Sequence, residues 1–119
     1  FRPLAPSMHE EHGREVFGVD HHDPFMITVI EVAEEYKEKI PAVVHVDGTA
    51  RPQMVSRQTN PRYWNLIEEF RKLTGITMLL NTSFNVQEPI VCTPQNAINT
   101  FRNANFDALV LENNLVVRR

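Results

Sequence analysis

The sequence predicts an α/β fold of the α+β kind, a mixed twisted sheet with flanking helices, and three observations predict it. Two helix openings, Asn60-Pro61 and Thr93-Pro94, place a capping side chain before a first-turn proline and lead into apolar residues at helical spacing. Several other runs are rich in β-branched residues, lack that spacing and read as strands. The chain has 119 residues, 42% hydrophobic and 23% charged, which suits one core and excludes a disordered or fibrous chain. A single domain over residues 1–119 is expected.

Along the chain, residues 9–17 suit a short helix with Ser7 near its cap, weakened by Gly13. Phe25 to Val32 reads as a strand, and the acidic stretch Glu34 to Lys39 as a solvated connection. Ala42 to Val46 reads as a second strand, stopped by the turn pair Asp47-Gly48 before extended structure resumes at Met54-Val55. Tyr63, Leu66, Ile67, Phe70 and Leu73 form the stripe of a helix that starts at Asn60-Pro61 and ends at Gly75. Ile76 to Leu80 follow as an apolar strand expected to be covered on both faces. Thr93-Pro94 opens a helix with Ala97, Ile98, Phe101 and Ala104 as its buried stripe. Ala108 to Leu111 and Leu115 to Val117 close the chain as a hairpin around Glu112-Asn113-Asn114, where asparagine tolerates positive φ.

Composition narrows the function. No apolar run approaches the roughly 20 residues that cross a bilayer, and Phe1-Arg2-Pro3 does not open like a secretory signal. The single Cys92 forms no internal disulfide, which fits a reducing cytoplasm. Net charge is −3, from 12 basic against 15 acidic residues, so no general attraction to nucleic acid or membrane is expected and an anion site must be local. His9 and His12 are not at the four-residue spacing that sets two imidazoles on one helical face, so no metal site is assigned and a solvated helix is expected. Cys92 lacks a nearby histidine and reads as a partly buried small residue rather than a nucleophile.

Two clusters carry candidate chemistry. Asn81-Thr82-Ser83-Phe84-Asn85 follows a buried strand, and ligands of open α/β sheets bind outside strand carboxyl ends. Ser83 and Asn85 can both hydrogen-bond a phosphate or ribose if Phe84 turns inward; the plain alternative is a turn stabilised by its own Ser and Asn. In His45-Val46-Asp47-Gly48-Thr49-Ala50-Arg51-Pro52-Gln53, the turn directs Arg51 outward, where a guanidinium can bind an oxyanion bidentately or simply pair with an acid. His45 and Asp47, two apart on one strand face, either orient a ligand or hold each other. Tyr63, Trp64 and Phe70 read as core or interface.

These segments in order, Phe1 to Ser7, His45 to Gln53, and Asn81 to Asn85 with Glu88-Pro89-Ile90-Val91, resemble the carboxyl-terminal domain of the nodulation-protein and antibiotic O-carbamoyltransferases. The resemblance covers nearly the whole chain. It implies a YrdC-like, partial domain of a larger two-domain enzyme, which forms carbamoyl adenylate from carbamoyl phosphate and ATP with Mg. An amino-terminal, metal-bearing domain would then pass the carbamoyl group to a hydroxyl of a sugar or natural product. By the same resemblance Arg2 and Arg51 carry catalytic charge, while Asn81, Thr82, Ser83, Asn85, His45 and Asp47 line the nucleotide site. The family's Lys-x-Arg segment would precede Phe1, so this stretch is expected to be inactive alone, and Gln87 stands where members often have glycine. The alternative is a non-catalytic nucleotide- or RNA-binding module.

Overall fold

The computed structural model describes residues 4–118. It is a mixed α/β structure with sheets and flanking helices. The chain divides into two compact units, residues 1–82 and 83–119.

The first unit is built on a three-stranded sheet in the order β4-β1-β5. Strand β1 (Ala5–His9) runs parallel to β4 (Gln53–Val55) and antiparallel to β5 (Met78–Asn81). All five residues of β1 are buried, so this strand is the centre of the unit. Ser7 and His9 are therefore fully enclosed. The expected helix over residues 9–17 is shorter: His9 ends the strand, a 3₁₀ turn spans Glu10–His12, and α1 covers Gly13–Phe17. His9 is not on a solvated helix. Its ring stacks on Trp64 at 4.2 Å and its Nε2 hydrogen-bonds the Trp64 carbonyl at 2.9 Å.

Two expected strands give way. In Phe25 to Val32 only Ile30–Glu31 (β2) is extended and paired, to Thr49–Ala50 (β3). The rest is a loop gathered by the buried Asp23 carboxylate, which accepts the backbone N–H of Phe25, Ile27 and Thr28. Those amides thus have partners without a neighbouring strand. Ala42 to Val46 contributes a 3₁₀ turn, Pro41–Val43, and the acidic connection carries a one-turn helix, α2 (Glu34–Lys37). Met8, Val16, Phe17, Val32, Ile40, Val43, Ala50, Met54 and Met78 form the core. Helix α3 (Pro61–Thr74) begins and ends as read: the Asn60 side chain accepts from the Tyr63 N–H, and Gly75 takes φ 77° to stop it. Strand β5 is not covered along its whole length: Met78 is buried, whereas Leu80, two residues on along the same face, is 54% exposed.

In the second unit, α4 (Pro94–Asn103) is capped by Thr93 and packs Ala97 and Phe101 against Leu109 of β6, with Phe84, Val91, Ile98 and Leu111 around them. β6 (Ala108–Leu111) and β7 (Asn114–Val117) form the hairpin, with Leu111 opposite Asn114. Its positive φ falls on Glu112 rather than on an asparagine. Cys92 is exposed rather than partly buried.

Candidate functional site

Gln53 joins all three strands of the central sheet. Its Oε1 accepts from Ser7 Oγ at 2.7 Å and Asn81 Nδ2 at 2.9 Å, and its Nε2 donates to the Pro24 carbonyl at 3.2 Å. Asn81, at the end of β5, also reaches Met26 Sδ at 3.4 Å, and Arg51 Nη1 donates to the Met26 carbonyl at 3.4 Å. The 24–29 loop, with Met26 at φ 59°, is thus the common neighbour of Arg51 and Asn81. Asp23 holds that loop from beneath. Burial opposes ionisation of Asp23, and the N–H groups of Ile27, Thr28 and Phe25 outweigh it, keeping the carboxyl below its ordinary range.

Arg51 is exposed, and no acid among the described residues forms an ion pair with it. Such a guanidinium keeps most of its donors for a ligand. His45 and Asp47 lie on a turn instead of a strand face, because Gly48 at φ 83° reverses the chain. Thr49 links them: its hydroxyl donates to Asp47 Oδ1 at 2.7 Å and lies 3.1 Å from His45 Nδ1. Bonds from the Thr49 hydroxyl and amide keep Asp47 ionised below its ordinary range. The pair thus serves the turn that precedes Arg51.

Thr82 closes the first unit and is exposed; Ser83 opens the second, also exposed. Phe84 does turn inward, onto the small core and 5.8 Å from the Phe106 ring. Asn85 Nδ2 donates to the Glu88 carbonyl at 2.8 Å, while its Oδ1 is buried with no partner among the described residues. Glu88 organises the loop: Oε2 accepts the N–H of Val86 and Gln87, and Oε1 accepts from Thr100 Oγ1 at 2.5 Å. Hydrogen bonds led by Thr100 lower its carboxyl to about 2. Arg2 lies outside the described residues.

The sequence profile of the carbamoyltransferase C-terminus matches residues 1–118. The chain belongs to this family. It is 46% identical over its full length to nodulation protein NolO of Bradyrhizobium diazoefficiens, covering 22% of that protein. It is equally identical to nodulation protein NolNO of Sinorhizobium fredii, of which it covers 18%. Nodulation protein U of Rhizobium tropici is 44% identical over 72% of the chain. The chain spans about a fifth of the length of these first relatives.

In this family member the sequence marks Arg51 and Asn81 as candidates, and the structure sets both beside Met26; it gives no separate sign of Gln53, Asp23 or Glu88 as organisers of the strands and loops around them. Gln53 and Glu88 stood inside the quoted motifs; their role arises from pairings between strands and across a loop that no local pattern displays. No group of three or more His, Cys, Asp or Glu side chains that could hold a metal occurs among the described residues, and no helix there is long and apolar enough to cross a membrane.

Proposed function

We propose that this domain contributes the carbamoyl-activating half of an ATP-dependent O-carbamoyltransferase, working with an amino-terminal domain that delivers the carbamoyl group to a hydroxyl acceptor. Carbamoyl phosphate first loses phosphate to water, leaving carbamate. A carbamate oxygen then attacks the α-phosphorus of ATP, the bond to pyrophosphate breaks, and carbamoyl adenylate forms. Charge builds on phosphoryl oxygens, and positioning plus cationic stabilisation carries such transfers. The exposed Arg51, without an acid partner among the described residues, is the observation that carries the reading.

In this reading Arg2 and Arg51 supply the positive charge that the phosphates need. On the first unit Asn81 and Thr82 are the nucleotide-binding candidates; on the second they are Ser83 and Asn85, whose Oδ1, without a partner among the described residues, is open to a hydroxyl or amine hydrogen. His45 and Asp47 shape the turn before Arg51. Mg²⁺ does not fit a protein cage among the described residues, and would arrive with the phosphates of ATP as part of that substrate.

The test is carbamoyl-phosphate-dependent exchange of pyrophosphate into ATP by the complete gene product. Arg51→Ala is expected to lower it at least a hundredfold, the scale of losing one transition-state charge contact. Unchanged exchange in Arg51→Ala overturns the assignment, and ATP binding without exchange in the parent identifies a non-catalytic nucleotide module.

A further inference from the structure

On the first unit, a recess of about 70 Å³ that Arg51 does not line lies among α1, α2 and the entry to β5. Glu15, Tyr36, Lys39 and Thr77 supply its polar lining. Thr77 is 9% exposed, and its Oγ1 is buried with no hydrogen-bond partner among the described residues. A buried hydroxyl without a partner is unusual and disfavoured, so this one points to something that fills the recess. Tyr36 donates its hydroxyl hydrogen to Glu15, and His12 Nδ1 lies 3.2 Å from the same carboxylate. The Tyr36 bond, opposed by burial and helped by His12, keeps Glu15 ionised below its ordinary range. Lys39 Nζ sits 4.3 Å from the Tyr36 ring centroid.

The recess therefore shows a carboxylate that only accepts beside an ammonium and a hydroxyl that can donate. A carboxylate head would meet Lys39 but be repelled by Glu15; an amine head would meet Glu15 but be repelled by Lys39. A neutral head carrying both N–H and C=O, such as a primary amide, satisfies both sides. The recess shares Lys39, Ile40, Ile76 and Met78 with an adjoining groove of about 280 Å³, whose other walls include Phe70 and Leu79. That groove is apolar and suits an alkyl or aryl substituent.

We propose that the recess and groove together bind a carbamoylated alcohol, R–O–CO–NH₂, with the amide N–H groups on Glu15, the carbonyl on Lys39 and Thr77, and an apolar R in the groove. The choice of a carbamate over other primary amides rests on the carbamoyl-transfer reading; the complementarity to an amide head does not. A hydrogen-bonded water could occupy the recess alone, but it would leave the groove unused.

Butyl carbamate is the probe, titrated into the ¹⁵N-labelled protein and followed by amide shifts. Saturable shifts at residues 36–40 and 75–80 are expected, with butyl N,N-dimethylcarbamate, butyrate and butylamine binding at least fivefold more weakly. Thr77→Val, which keeps the shape and removes the hydroxyl, should weaken binding about fivefold to tenfold, the scale of one hydrogen bond. Lys39→Met at an exposed position gives a second measure that does not disturb the core. No saturable shift, equal binding of the four probes, or undiminished binding in both variants overturns the proposal and leaves a hydration site. Pyrophosphate exchange is not read by this titration, so failure of the carbamoyl-activation reading would show in that assay alone.

Discussion

Asp23 shows how one carboxylate decides the conformation of a segment whose composition argues otherwise. It is 2% exposed and receives three backbone N–H groups, two on Oδ1 and one, from Thr28, on Oδ2 at 2.7 Å. Removing a partner so that a buried donor is left unpaired forfeits its full desolvation cost. Asp23→Asn turns an NH₂ toward one of these donors, and a loss of about 2–3 kcal/mol is expected in urea unfolding. The pH dependence follows from the direction of the shift. Because the folded carboxyl lies below its ordinary 3.8, its contribution is complete above that value and is lost as pH falls through 3.8 toward the folded pKa. The parent should therefore lose stability on acidification below about pH 4 more steeply than Asp23→Asn, as denaturant midpoints measured across this range would show. Matching pH profiles would remove Asp23 as the holder of the Met26 loop, and with it the support beneath Arg51.

Helices and strands were not equally legible. Asn60-Pro61 and Thr93-Pro94 announce their helices because capping is local: the cap, the proline and the donor it satisfies lie within four residues. Strand β1 carries no local signal, because Ala-Pro-Ser-Met-His has no alternation. A central strand enclosed on both faces needs none, and its identity depends on β4 and β5, over forty positions away. The β-branched content of Phe25 to Val32 predicts a strand along its whole length, but such content describes a half-buried pleat and not a loop with its own acceptor, and only Ile30–Glu31 is extended and paired. The candidate residues differ in the same way, without bearing on their role. Arg51 was legible from its turn, whereas Gln53 acquires its role only when three strands meet. The C-terminal end of α4 adds a device that crosses the unit: the Arg118 guanidinium donates to the carbonyls of Phe101 at 2.8 Å, Phe106 at 2.9 Å and Ala104. These include helix-end acceptors without an intrahelical donor, and a cation there also opposes the helix dipole. Arg118→Ala should cost about 1–2 kcal/mol and raise amide exchange in the last turn of α4, while Thr93→Ala should cost about 1 kcal/mol and act at the first turn. Exchange unchanged in Arg118→Ala would mean that the last turn of α4 holds without the guanidinium.

The two compact units differ in how much apolar surface each encloses. The first buries Met8, Val16, Phe17, Val32, Ile40, Met54 and Met78 around a strand hydrogen-bonded on both edges. The second depends on Ala97, Phe101 and Leu109, with a two-stranded hairpin in which Val110 and Leu115 are 67% and 68% exposed. A hairpin of two strands is marginal without a covering element, so α4 and above all Phe101 decide whether this unit is ordered. Local opening free energies follow buried contacts, and amides of α4, β6 and β7 should exchange through openings of lower free energy than those of β1 and α3. Phe101→Ala removes the largest buried side chain of the small core and should cost about 3–5 kcal/mol, comparable to the whole stability of a unit of this size. Native-state hydrogen exchange in the parent and the variant separates the outcomes. Protection of α4 and the hairpin should collapse in Phe101→Ala; retention of parent-level protection there would show that the Phe101 cluster is not what orders Asn85, Glu88 and the loop they share.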